Sequence, residues 1–111
     1  MNSNYVKGAR IERKALDQLE KDGYLVVRSA GSHSPFDIVA IGMGEVRLIQ
    51  LKACKKFYQN ILDSAMTEVR KGYMKLTIPG FCKAEVWICE DRKGFAKYEI
   101  FKDTYRKIAD I

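Results

Sequence analysis

Phe36-Asp37-Ile38-Val39-Ala40-Ile41-Gly42-Met43-Gly44-Glu45-Val46-Arg47-Leu48-Ile49-Gln50-Leu51-Lys52-Ala53 decides how this chain folds. Two β-branched runs, 36–41 and 46–53, flank a glycine-containing segment, the pattern of a β-hairpin. Met is a poor residue for a left-handed turn position, so the type of turn stays open. A turn centred between Met43 and Gly44 sets Asp37 opposite Gln50, with Cβ atoms about 5 Å apart on one face. Lys52, two residues beyond Gln50, projects from that same face because strand side chains alternate. A loop one residue longer or shorter would undo this convergence.

Upstream, the segment from Tyr5 to Asp22 has helical periodicity. At 100° per residue Ile11, Ala15, Leu16 and Leu19 share an arc about 140° wide, and Glu12 falls inside it. Gly8 lies one turn earlier on the stripe, and Arg10, Arg13, Lys14, Asp17 and Lys21 lie opposite. A carboxylate aimed at a core is costly unless it is paired or holds a metal. Glu12 therefore needs a partner, either a bound cation or a basic neighbour such as Arg28. Gly23 ends the helix, Tyr24–Arg28 reads as a short strand, and Ser29–Pro35 as a small polar loop.

Carboxylate and amide oxygens from Glu12, Asp37 and Gln50 suit a hard cation such as Mg²⁺, with Mn²⁺ as a substitute. Such an ion polarises a phosphate and lowers the pKa of an attacking water. A lysine at position 52 would orient that water or neutralise charge developing on phosphorus. The chemistry indicated is phosphodiester hydrolysis.

Lys7-Gly8-Ala9-Arg10-Ile11-Glu12-Arg13, Val26-Val27-Arg28-Ser29-Ala30-Gly31-Ser32, Phe36-Asp37-Ile38-Val39-Ala40 and Ile49-Gln50-Leu51-Lys52 together resemble the archaeal-type Holliday junction resolvases of the PD-(D/E)XK nuclease superfamily. The likeness runs from about residue 5 to 56, with the motifs in order. It implies catalytic positions at Glu12, Asp37, Gln50 and Lys52, a loop serine at Ser32 near the cleaved strand, and substrate-contacting Arg13 and Arg28. It also implies branched DNA as substrate; two matched cuts with one candidate site per chain then call for a homodimer. Where the family carries a glutamate, this chain has Gln50, which brings an oxygen but no charge. The resemblance thus leaves open a phage or viral variant, a nuclease acting on duplex or modified DNA in restriction or repair, and a DNA-binding relative that has lost cleavage.

The remaining features agree. A net charge of +6 and a pI near 9.3 favour a polyanionic partner. Lys55 and Lys56 follow the proposed site directly and, with Lys7, Arg10, Arg13, Arg28, Ser32 and His33, are the candidate DNA contacts. Three cysteines and one histidine argue against a disulfide framework or a structural zinc site and suit a reducing cytoplasm. No apolar run is long enough to span a membrane.

In the second half, Ile61, Leu62, Ala65, Met66, Val69 and Tyr73 predict a helix over about 60–76. Ala84–Glu90 and Phe95–Phe101 predict strands about the turn Asp91–Gly94, and 102–110 a short final helix. The expected fold is one α/β domain over 1–111, a mixed five-stranded sheet flanked by helices, resembling restriction endonucleases, in the order α-β-β-β-α-β-β-α. Trp87, Phe95, Tyr98, Phe101 and Tyr105 exceed what a small core needs and are candidates for a dimer surface.

Overall fold

The computed structural model describes residues 3–29, 34–75 and 80–108, with side chains described for 8–29, 34–71 and 80–108. Helix α1 (Ser3–Lys21) leads into β1 (Leu25–Arg28), β2 (Ile38–Gly42) and β3 (Glu45–Cys54). Helix α2 (Gln59–Lys75) then crosses to β4 (Cys82–Glu90), followed by β5 (Gly94–Ile100) and β6 (Tyr105–Lys107). The strands form one sheet in sequence order, antiparallel throughout except for the parallel β3–β4 pair that α2 connects.

The hairpin has the expected register: Ile38 pairs with Ile49, Ile41 with Val46 and Gly42 with Glu45. Both turn residues have positive φ, Met43 at 54° and Gly44 at 72°. This is the primed turn whose twist matches the flanking strands, and Met43 occupies a left-handed position despite its side chain. Gly23, at φ 98°, ends α1. Its N–H donates to the Glu20 carbonyl and that of Tyr24 to the Leu19 carbonyl, both at 3.0 Å, so two otherwise orphaned helix carbonyls are satisfied.

The alternation of β3 and β4 makes two cores. On one face Ala15, Leu16 and Leu19 of α1 pack on Ile38, Ala40, Ile49 and Trp87. On the other, Leu62, Ala65, Met66 and Val69 of α2 pack on Phe36, Ala84, Val86, Ile88, Tyr98 and Ile100. Leu19 and Leu62 are almost fully enclosed, so truncating either to Ala costs about 2–5 kcal/mol.

Two expectations are corrected. The sheet has six strands rather than five, because the segment assigned to a final helix forms β6 along the edge of β5. A short terminal helix would carry its own nucleation cost, whereas β5 offers ready backbone partners. The Phe101 N–H bonds the Thr104 carbonyl at 2.9 Å to turn the chain back, and Arg106 then reaches Glu99 at 2.5 Å. Trp87 and Tyr98 are also removed from the candidate dimer surface. Both are buried, and Phe95 packs half-buried on Trp87 with ring centroids 5.3 Å apart. Phe101 and Tyr105 stay exposed.

Candidate active site

Glu12, Arg28, Asp37 and Lys52 line one open cleft of about 310 Å³, together with Gly8, Ala9, Ile11, Leu51 and Ala53. Each arrives on a different element. The buried stripe of α1 carries Glu12 to the sheet, β1 carries Arg28, and β3 carries Lys52. A Cβ added at Gly8 would meet nothing within 4 Å, which leaves that wall of the cleft open.

Asp37 lies at a bend just ahead of β2, where the strand parts from β3. Its N–H donates to the Ile49 carbonyl at 2.8 Å, its carbonyl accepts from Ser29 N–H at 2.9 Å, and Oδ2 accepts from Leu51 N–H at 2.8 Å. These three bonds lock the carboxylate in place. Burial pushes its pKa above the ordinary value, and the charges of Glu12 and Glu68 push the same way, while the Leu51 N–H and Lys52 oppose them. A carboxylate so placed is less costly to ionise when a positive charge stands beside it.

Glu12 is half-buried and pairs with Arg28, the basic neighbour considered from sequence. Gln50 does not itself line the cleft but directly precedes Leu51 and Lys52, which do. It is 3% exposed, on the α2 side of β3, and its Nε2 donates to Glu68 Oε2 at 2.7 Å. Its Oε1 is buried without a hydrogen-bond partner. Lys52 Nζ stands 3.6 Å from Glu68 Oε1.

Sequence reasoning missed Glu68. Its signal was available: it lies seven residues, two helical turns, after the partly buried Ile61, and so at the margin of α2's apolar stripe.

Among the described residues, no group of three His, Cys, Asp or Glu side chains gathers closely enough to hold a metal. Two carboxylates, Glu12 and Asp37, line the cleft, and a hard cation, which needs only one or two of them, accepts an amide oxygen as a further donor. The unpartnered Oε1 of Gln50 is such a donor, so the residues present fit a hard, oxygen-seeking ion.

Of the candidate DNA contacts, Arg10, Lys55 and Lys56 are exposed, and Lys56 Nζ lies 5.7 Å from the centre of the Tyr58 ring. Arg13 is exposed and pairs with Asp17 at 3.5 Å along α1. Lys7 lies in α1, with its side chain outside the described set, and Ser32 and His33 lie outside the described residues. Cys54 and Cys82 are half-buried and Cys89 is buried, and none of the three forms a disulfide.

Asp37 at the bend ahead of β2, Lys52 on β3 and Glu12 from α1 thus line one cleft of a mixed α/β sheet domain. The family model for archaeal Holliday junction resolvase (Hjc) matches residues 3–68, and the chain belongs to that family. It is 42% identical over 65 residues to the crossover junction endodeoxyribonuclease Hjc of Methanocaldococcus jannaschii, a match covering 57% of this chain and 48% of that protein. The chain thus spans about half the length of that curated relative. The structure of Archaeoglobus fulgidus Hjc, a Holliday junction resolvase from an archaeal hyperthermophile, aligns with a TM-score of 0.56 at 25% identity, covering 81% of this chain and 73% of that one.

Proposed function

We propose that this chain is a metal-dependent DNA endonuclease that hydrolyses phosphodiesters in branched, four-way DNA. The observation that carries the reading is the locked Asp37 carboxylate, its pKa raised, in a cleft shared with Glu12 and Lys52. Family membership supports it: both relatives described above are junction-resolving nucleases by name.

Asp37 and Gln50 Oε1 would hold the ion, Mg²⁺ or Mn²⁺, with Glu12 reaching it on release from Arg28. Bound there, a hard divalent cation supplies a Lewis acid for the scissile phosphate and lowers the pKa of the attacking water. Lys52 places its ammonium beside the reacting phosphorus, where negative charge builds up. Arg10, Arg13, Arg28, Lys55 and Lys56, with Lys7, Ser32 and His33, meet the DNA backbone and fix its register. A second copy related by a two-fold axis supplies the second cut that a four-way junction needs.

The test is incubation with a labelled four-way junction and its matching linear duplex, each with Mg²⁺ or EDTA. The expected result is paired symmetric nicks in the junction with Mg²⁺ only. Equal cutting of both substrates would make the chain a duplex nuclease, and tight binding without cutting a DNA-binding relative.

A further inference from the structure

Gln50 has an amide with one donating and one accepting end, and its environment leaves no freedom over which end points where. Glu68 Oε2 can only accept, so Nε2 must face it, and at 2.7 Å it does. The other end, Oε1, is then left as a bare acceptor in a residue 97% removed from solvent, where an unmet acceptor costs stability. The same glutamate's Oε1 stands 3.6 Å from Lys52 Nζ. Glu68 therefore touches both proposed site residues of β3 from α2.

We propose that Glu68 is the positioning residue of the metal site: it holds the Gln50 amide so that Oε1 is presented to the cation, and contributes the anionic charge that a neutral amide lacks. This rests on the metal-site reading above. Its charge already reaches Asp37, whose proton affinity it raises. Gln50→Glu alone would set two carboxylates face to face, so the charge has to be moved rather than added.

Glu68→Gln separates this role from a packing role. The side chain is about half exposed at 49%, the substitution is isosteric, and a hydrogen bond to residue 50 survives in either amide orientation. Only the charge and the compulsion on Gln50 are removed. The measurement is the Mn²⁺ concentration that half-saturates the rise in Tm of the intact chain without DNA, with Asp37→Asn as the variant that loses the response. Glu68→Gln is expected to raise that concentration about 10- to 100-fold, the range for removing a partner that orients a metal ligand. The swap Gln50→Glu/Glu68→Gln reverses the hydrogen bond and keeps the charge, and should return it to within about threefold of wild type. Wild-type affinity in Glu68→Gln, or a swap as impaired as the single variant, would overturn the proposal and leave the metal site standing. A wild-type chain that Mn²⁺ does not stabilise would overturn the metal site itself, and this role with it.

Discussion

At Asp37, stability and function oppose each other. Its pKa is raised, so the folded chain binds the proton more tightly than the unfolded chain. The associated stability is fully present below the ordinary carboxylate pKa and is lost as pH rises through the folded value, so at neutral pH ionised Asp37 is a liability. Asp37→Asn keeps an oxygen for the Leu51 N–H and removes the charge. In EDTA its Tm should exceed that of wild type at neutral pH, with the gain closing as the pH falls to about 4. Adding Mg²⁺ should stabilise wild type and not the variant. Cleavage should fall by at least about 10²-fold with DNA binding nearly intact, since the substitution removes a metal ligand and leaves every phosphate-binding side chain in place. Thermal melts across pH, with a gel-based cleavage assay, check each part; wild-type cleavage in the variant would sink the proposed site.

Among the elements, the β2–β3 hairpin carries the register on which the site depends, and its turn is imperfect. Met43 holds φ at 54° with its side chain 73% exposed, so it bears the steric cost of the left-handed region without burial to offset much of it. Asn bonds locally in that conformation, so Met43→Asn should add about 1 kcal/mol. For a domain of this size that is a Tm gain of about 4 °C by calorimetry, with cleavage unchanged. A lowered Tm would mean that Met43 packs against something worth more than its strain. The turn was legible as a turn; its type was not, because Met argues locally against the conformation that strand twist requires.

For the whole molecule, charge and exposed apolar surface define how it meets its partners. The net charge of +6 makes DNA binding sensitive to ionic strength. Replacing Lys55 and Lys56 with Ala should reduce the slope of log affinity against log salt by about 2, roughly one for each phosphate no longer neutralised. An unchanged slope would place the DNA elsewhere. Apolar surface lies at the far end of the sheet, where α1 covers one face of β1 and β2 and side chains of the other face reach solvent. Leu25 opposes Ile41 there and Val27 opposes Val39, with Leu25, Val27 and Ile41 exposed. This face is where the proposed homodimer would bury area, in place of the aromatics of β4 and β5. Leu25→Lys/Ile41→Lys should give a folded monomer by sedimentation. An unaltered dimer would send the interface elsewhere.

The sequence by itself determined what depends on local periodicity and chain geometry. The alternation of 36–53 set the β2–β3 register, the helical stripe carried Glu12 to the sheet, and Gly23 stopped α1, because each is dictated by neighbours a few residues away. The tertiary structure decided what depends on distant partners competing for the same group. The 105–107 segment became a strand because β5 had backbone groups to pair. Trp87 went inside, its Nε1 donating to buried Glu85 at 2.9 Å. Glu68 joined the site because crossover helix α2 lays its margin against β3. An exposed-looking glutamate on a helix acquires its role from what is packed beside it, and that is settled by the assembly of the layers rather than by the segment in which the residue lies.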